Sequence, residues 1–181
     1  MVVIKNVVAT AHLNVALDLH KLEAALPMAL YLPHRFSGLL VRILSPQKAH
    51  VQIYSNGKMT VNGGRSVRDA FRLACRFATM VRQQGYLIRL TDFKVVNFVG
   101  CFDMQRRLPL ESISKDLNVL YEPEIFSGLA IRLSTCTAVI FHSGKVNLLG
   151  ARSEDELMAG ECELRFLLPD YLSVSSDNST G

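Results

Sequence analysis

Residues 31–39, YLPHRFSGL, recur ninety residues later as YEPEIFSGL at residues 121–129. Both segments read Y-x-P-x-x-F-S-G-L, and an arginine follows each at the same distance, Arg42 after the first and Arg132 after the second. A motif of this length does not arise twice by chance in one chain of 181 residues. It indicates an internal repeat, which constrains the fold more strongly than any single residue does.

Further matches follow outward from this motif in the same order. Residues 53–58 (IYSNGK) match 140–145 (IFHSGK), 63–66 (GGRS) match 150–153 (GARS), and 6–8 (NVV) match 97–99 (NFV). The offset is 91 at the start, 90 in the middle and 87 at the end. We therefore predict two copies of one unit, residues 1–91 and 92–172, related by a pseudo-dyad. A polar tail, residues 173–181, is predicted to be disordered.

Each copy is predicted to contain strands, a short helix, further strands and one long helix, which makes an α+β fold. In the first copy Val51 and Ile53 alternate with polar residues, and Asn56-Gly57 is typical of a hairpin turn. Ser66 is predicted to cap a long helix that runs to Gln84, with Gly85 as its C′ residue, and the short helix is expected near residues 19–26. The helix spacing predicts a buried stripe of Val67, Ala70, Phe71, Ala74, Ala78 and Val81.

Period-two alternation divides the strands into two faces. The face predicted to meet the helices carries Val7, Val51, Ile53, Met59 and Val61. The opposite face carries Asn6, Val8, Gln52, Tyr54, Thr60 and Asn62 in the first copy, and Asn97, Val99, Val139, Phe141, Asn147 and Leu149 in the second. Because helices cover only one face, the other is predicted to be an interaction surface. The alternative is that it packs on another subunit or on a further segment of the chain.

Composition narrows the classes of function. The net charge of +4 and the pI near 9.0 favour anionic partners only weakly. The cysteines Cys75, Cys101, Cys136 and Cys162 form no C-x-x-C pair, so we expect buried thiols in a reducing compartment rather than a metal or redox site. No phosphate-binding loop, nucleophile elbow or zinc-protease motif is present, nor an apolar stretch of membrane-spanning length. The sequence predicts neither an enzyme nor a cofactor.

Three segments point to a known family. These are Thr91–Gly100 (TDFKVVNFVG), Tyr121–Phe126 (YEPEIF) and Ser143-Gly144-Lys145. They closely resemble the TATA-box-binding protein family, and the resemblance extends from residue 4 to about residue 172. It implies a ten-stranded saddle with helices on the convex face and promoter DNA bent along the concave face. That minor-groove geometry is a known property of the family and does not come from the residues themselves.

The resemblance also implies roles for residues at matching positions. Four aromatic residues would intercalate between base pairs: Phe36, Tyr54, Phe126 and Phe141. The floor of the minor groove would be met by Asn6, Val8, Gln52, Thr60, Asn62, Asn97, Val99, Val139, Asn147 and Leu149. Six cations would contact phosphates: Arg42, Lys58, Arg65, Arg132, Lys145 and Arg152, although any one of them alone has the alternative of being an ordinary solvated charge.

Partner surfaces are implied in the same way. The loop carrying Glu122, Glu124 and Ile125 matches the segment contacted by a factor IIB-like partner, and Arg68, Arg72 and Arg76 match a surface used by factor IIA-like partners. The alternative for both is an ordinary solvated charged surface. The family further implies a nuclear general transcription initiation factor, with promoter-specific or polymerase-specific complexes as further partners, and no membrane or small-molecule substrate.

Several positions depart from the family pattern. Gln52, Thr60, Asn62, Asn147 and Leu149 replace the family's residues on the floor, Tyr54 replaces a phenylalanine, and Ser127 replaces a proline. The stretch between Arg132 and Ile140 is three residues shorter than that between Arg42 and Ile53. These changes predict a diverged, TATA-binding-protein-related factor with relaxed TATA specificity. The alternative is a scaffold of the same fold, recruited by other promoter-bound factors, with weak or no DNA binding of its own.

Overall fold

The computed structural model describes residues 1–45 and 48–172, which form two compact units. The first unit is Ile4–Phe98, and the second consists of Met1–Val3 with the described residues that follow Phe98. The boundary that the repeats suggest, after residue 91, lies at the start of strand β6 (Thr91–Asp103), which runs from the first unit into the second. The tail predicted to be disordered, residues 173–181, lies outside the described residues.

The first unit contains the helices α1 (Leu19–Ala25) and α2 (Val67–Arg82) and the strands β1 (Val3–His12), β2 (Ala29–Tyr31), β3 (Leu39–Ile43), β4 (Ala49–Ile53) and β5 (Lys58–Gly64). The strands pair as an antiparallel sheet in the order β2-β3-β4-β5-β1. Strands β4 and β5 are joined by the predicted Asn56-Gly57 turn, in which the Tyr54 N–H donates to the Lys58 carbonyl at 2.9 Å. The short helix appears where it was predicted, with Asp18 as its N-cap.

The second unit repeats this plan. Its elements after β6 are α3 (Leu110–Asp116), β7 (Gly128–Arg132), β8 (Thr137–Phe141), β9 (Lys145–Ala151), α4 (Glu154–Leu167) and the short α5 (Pro169–Leu172). The strands follow the order β6-β9-β8-β7. None of the described helices is long and apolar enough to span a membrane.

The described residues contain nine strands, one fewer than the ten predicted. The missing strand is the counterpart of β2, at residues 119–121. There the Val119 N–H donates to the Ser114 carbonyl of α3 at 2.8 Å, and Leu120 is 81% exposed. The Val119 N–H is therefore bonded to the end of α3 and is not available to pair with a neighbouring strand.

Unusual backbone conformations recur at the repeat offset. Asn14 and Gln105 have φ of 54° and 60°, and Met28 and Asn118 have φ of 57° and 50°. Few non-glycine residues have positive φ, and the members of these pairs are separated by 105 − 14 = 91 and 118 − 28 = 90 positions. The two units thus share local geometry even where their sequences differ.

The predicted inner face of the first sheet is confirmed, since Val7, Val51, Ile53, Met59 and Val61 are all fully buried. The predicted stripe of α2 is partly wrong. Val67 and Phe71 are 41% and 46% exposed, and the core instead receives Leu73 and Phe77, beside the correctly predicted Ala70, Ala74, Ala78 and Val81. Phe71 points to the flank of the helix, where its ring packs edge-on against Phe93 at 5.1 Å. Helix α2 also ends at Arg82, two residues before the predicted Gln84.

The long helices of both units begin at serine N-caps. The Ser66 hydroxyl accepts from the Asp69 N–H and the Ser153 hydroxyl accepts from the Glu156 N–H, each at 3.1 Å. We expect Ser66→Ala and Ser153→Ala each to lower the free energy of unfolding by about 1 kcal/mol, measured by urea denaturation. Ser55→Ala at an exposed loop position serves as the control. A change in either cap variant no larger than in this control would show that the caps do not stabilise the helices.

The expectation of four buried cysteines is wrong for three of them. Cys136 alone is buried, Cys75 and Cys101 are half-buried, and Cys162 is exposed on α4. Burial raises the pKa of the Cys136 thiol and so favours its neutral form. Cys75 and Cys162 lie on α2 and α4, and Cys101 lies on β6. Wide spacing in the sequence does not distinguish such positions from the core.

Candidate nucleic-acid interface

Strand register in the first unit places the predicted floor residues on one exposed sheet face. One row across the strands is Leu40, Gln52, Thr60 and Thr10, and the next is Arg42, His50, Asn62 and Val8. Gln52, Thr60, Asn62 and Val8 are each partly exposed. The face that the helices leave uncovered is therefore mainly polar in this unit.

The matching face of the second unit is more apolar. Its rows are Ala130, Val139 and Asn147, and Arg132, Thr137 and Leu149. Leu149 is 38% exposed and Asn147 and Val99 are partly exposed, whereas Val139 is only 8% exposed. Val139 lies on the predicted face, but its neighbours cover most of it, which leaves it less accessible than Gln52, its counterpart in the first unit.

The side-chain amide of Asn6 is oriented by a hydrogen bond from the neighbouring strand β5. Strand β1 pairs Val7 with Gly64 but Val8 with Asn62, so Gly63 is an extra, bulged residue of β5. Its N–H donates to Asn6 Oδ1 at 2.9 Å. Because the amide oxygen is engaged in this way, the two N–H groups of Asn6 remain as its donors. Asn97, at the equivalent place in the repeat, is also partly exposed.

The four predicted intercalating residues form two pairs, one in each unit. The ring centroids of Phe36 and Tyr54 are 5.8 Å apart, and those of Phe126 and Phe141 are 6.2 Å apart, both in edge-to-face arrangement. Phe36 is 38% exposed and Phe126 is 52% exposed. Each pair is therefore an accessible apolar projection at one end of its strands.

The glycine of each F-S-G motif lies directly against the ring of the phenylalanine in the same motif. A Cβ atom placed on Gly38 would lie 2.7 Å from Phe36 Cε1, and one placed on Gly128 would lie 2.7 Å from Phe126 Cε1. A larger residue at either position would displace the ring. This close approach explains why the motif that reveals the repeat contains both residues.

All six predicted phosphate-contacting cations are exposed: Arg42, Lys58, Arg65, Arg132, Lys145 and Arg152. Arg132 is held against its own sheet, since its Nη1 donates to Thr137 Oγ1 at 3.0 Å. Arg42 and Lys58 lie on the uncovered face, directly across from His50 and His12 respectively. Three of the cations, Arg42, Lys58 and Arg132, thus lie in the cross-strand rows of the faces that carry the floor residues.

The structure adds His50, Leu40 and Thr10 to the face of the first unit. His50 is exposed, and it lies between Arg42 and Asn62 in the cross-strand row. Its position could have been found in the sequence, because it precedes Gln52 by two residues and strand alternation gives both the same face.

The two predicted partner surfaces are also exposed. Glu122, Glu124 and Ile125 lie in the loop before β7, where Ile125 is 79% exposed. Arg68, Arg72 and Arg76 lie on the outer side of α2, and the Arg76 guanidinium donates to the Ser45 carbonyl. Within the described ranges, His, Cys, Asp and Glu side chains form no group of three or more suited to a metal ion.

Comparison with known proteins gives a consistent result. The family profile described as "Transcription factor TFIID (or TATA-binding protein, TBP)" matches residues 1–84 and 92–164. TATA-box-binding protein 2 of Entamoeba histolytica is 35% identical over 158 residues, which are 85% of this chain and 74% of the relative. The TATA-box-binding protein of Schizosaccharomyces pombe is 35% identical over 158 residues, covering 85% and 68%.

A solved structure agrees with these relatives. The TBP of Methanococcus jannaschii superposes with a TM-score of 0.83 at 27% sequence identity, covering 93% of this chain and 98% of that one. This likeness confirms the predicted fold class, with helices on one side of antiparallel strands.

Proposed function

The chain belongs to the TATA-binding protein family, and we propose that it is a transcription initiation factor that binds and bends promoter DNA from the minor groove. The observation that carries the proposal is the uncovered sheet face of each unit, which has an exposed aromatic pair at one end and at least one exposed cation in its cross-strand rows. Proteins of this family are DNA-binding transcription factors rather than enzymes. A nuclear location follows from the same proposal.

The aromatic pairs supply the bend. Unstacking a base step costs a few kcal/mol, and a ring inserted between the bases replaces part of the lost stacking. Phe36 with Tyr54, and Phe126 with Phe141, would act as the two wedges. Because Phe126 is half exposed before any ligand binds, it can enter a base step without first leaving a core.

Asn6 supplies recognition of A·T pairs. The minor-groove edge of an A·T pair presents only two acceptors, adenine N3 and thymine O2. The Asn6 amide keeps its N–H groups available because Gly63 occupies its oxygen. Asn97 takes the corresponding place in the second repeat, and Val8 and Val99 give apolar contact beside the two amides.

The polar floor supports relaxed specificity. A guanine amino group that meets an apolar floor stays unpaired, and burying an unpaired donor costs about 1–3 kcal/mol. Gln52, Asn62 and Asn147 carry carbonyl oxygens that can accept from this amino group. Gln52 and Asn62 lie in adjacent cross-strand rows and are partly exposed, so both are accessible to a base edge.

A second candidate is a scaffold recruited by other promoter-bound factors. It is favoured by the polar character of the first unit's face, since polar side chains lose hydration when a groove covers them without giving partners. In both candidates the Glu122–Ile125 loop would bind a basic, factor IIB-like partner, and the Arg68, Arg72 and Arg76 face of α2 would bind an acidic, factor IIA-like partner.

Salt dependence tests the phosphate contacts. If all six cations contact phosphates, log affinity should fall with log salt with a slope of about −5, because each contact contributes about −0.9. The double variant Arg42→Ala/Arg132→Ala should make this slope shallower by about 2, with little change in sequence preference. Arg82→Ala, at the end of α2, is the matched control. An unchanged slope in the double variant would mean that these arginines are only surface charges.

A further inference from the structure

A cleft of about 500 Å³ opens on the first unit at the end of β4 opposite to Tyr54. Three of its lining residues are cationic or able to become so: Arg42 from β3, Lys48 from the segment before β4, and His50 from β4 itself. Two amides, Gln52 and Asn62, complete its polar lining. Arg42 alone among the three basic residues is suggested by the family resemblance.

The cleft has the chemistry of an anion site. Guanidinium, ammonium, imidazole and amide groups all offer N–H donors. No carboxylate is among the described residues that line the cleft, so no negative charge competes for these donors. A phosphate oxygen is the anion that such a set of donors suits in a nucleic-acid-binding protein.

Strand register brings the donors together. Arg42 lies directly opposite His50 across β3 and β4, and His50 lies directly opposite Asn62 across β4 and β5. Side chains at directly opposed positions have Cβ atoms about 5 Å apart. A single phosphate can therefore lie within reach of Arg42, His50 and Asn62. Arg42, Lys48 and His50 are exposed, and the anion can approach from solvent.

The second unit lacks this cleft chemistry. Thr137 replaces His50, and it already accepts a hydrogen bond from Arg132. The connection between β7 and β8 is shorter than that between β3 and β4. It is closed by the Leu133 N–H, which donates to the Cys136 carbonyl at 2.9 Å. No basic residue occurs between Arg132 and Thr137, so this hairpin has no equivalent of Lys48.

We propose that the cleft formed by Arg42, Lys48 and His50 binds a backbone phosphate, with protonated His50 as a third cationic contact. The inference rests on the proposed DNA-binding function and adds a site within it. The groups facing His50 are Arg42 on β3, Lys48 beside β4 and the uncharged Asn62 on β5. A bound phosphate favours the protonated form of an imidazole beside it. Proton uptake is then coupled to phosphate binding, and the first unit holds DNA more tightly as the pH falls.

The test compares salt slopes for one duplex at about pH 6 and about pH 8, the range in which imidazoles change charge. Wild type should have a slope steeper by about 1 at the lower pH, which corresponds to one additional phosphate contact. His50→Thr, which introduces the residue of the second unit, should lose this difference. His20→Gln, on α1, is the matched control and should keep it. A difference that persists in His50→Thr would place the proton at another histidine, such as His12 or His34, and overturn the proposal.

A second measurement separates this inference from DNA binding itself. Inorganic pyrophosphate is titrated into the full chain while the histidine ring signals are followed by NMR. A saturable shift of the His50 signals, absent in Arg42→Ala/Lys48→Gln, is the expected result. If duplex binding is missing but this shift occurs, the proposed function fails and the anion site stands. If the duplex binds with a pH-independent slope and pyrophosphate leaves His50 unshifted, the function stands and the anion site is refuted.

Discussion

Phe126→Ala and Phe141→Ala are each expected to remove most of the DNA bend contributed by the second unit, whereas Tyr54→Ala is expected to reduce the bend far less. Phe126 and Phe141 form a wholly apolar wedge with ring centroids 6.2 Å apart. Tyr54 carries a hydroxyl, which loses its hydrogen bonds to water when the ring enters a base stack. Leaving the buried hydroxyl without a partner costs about 1–3 kcal/mol. The wedge of the first unit therefore depends mainly on Phe36.

Energy transfer between dyes at the two ends of a short duplex measures this bend directly. The matched control is Phe71→Ala, which removes a phenylalanine that is 46% exposed on α2, away from the sheet face. It should leave the bend unchanged. Equal losses from Tyr54→Ala, Phe126→Ala and Phe141→Ala would show that the tyrosine is a full wedge.

The second large effect is expected from the floor of the first unit. Gln52→Leu/Asn62→Thr should sharpen the preference for A·T over G·C by roughly 5- to 150-fold at the base pairs beneath these residues. This range corresponds to about 1–3 kcal/mol for a guanine amino group that loses its acceptor. The A·T preference beside Asn6 and Asn97 should not change, because those amides donate to acceptors that the substitutions leave in place.

Selection of sites from random duplexes gives the result for every position at once. Gln83→Leu, which removes an exposed amide at the end of α2, is the control and should select the same sites as the wild type. If wild type already selects an unbroken A·T site as strictly as the double variant, the polar floor does not read DNA. Gln52 and Asn62 would then bind neighbouring side chains or sugar oxygens, and the scaffold function would gain support.

Strand burial and the first helix cap could be predicted from the sequence, because one local rule decides each of them. Alternation placed Val51, Ile53 and Val61 in the core because a strand must direct successive side chains to opposite faces. The cap at Ser66 was recognisable because a serine before a helix satisfies a backbone donor that has no other partner.

Features that depend on tertiary packing could not be predicted from the sequence. Phe71 fits the apolar spacing of α2 as well as Phe77 does, but only Phe77 is buried, and the choice depends on how the helix is rotated on its sheet. In place of the tenth strand, the Val119 N–H donates to the Ser114 carbonyl, a contact that no pattern in the sequence indicates. The hydrogen bond between Asn6 and Gly63 is likewise invisible in the sequence, because it needs the bulge between β1 and β5.

The central claim is that the chain alone reads duplex DNA from the minor groove. The most direct measurement is the affinity of the purified chain for a selected duplex and for the same duplex with its A·T pairs replaced by inosine·cytosine pairs. Inosine lacks the guanine amino group, so the exchange preserves the minor-groove acceptors but changes the major-groove pattern. We predict that the two affinities agree within a few-fold. Loss of binding on this exchange, or no binding to either duplex, would contradict the claim.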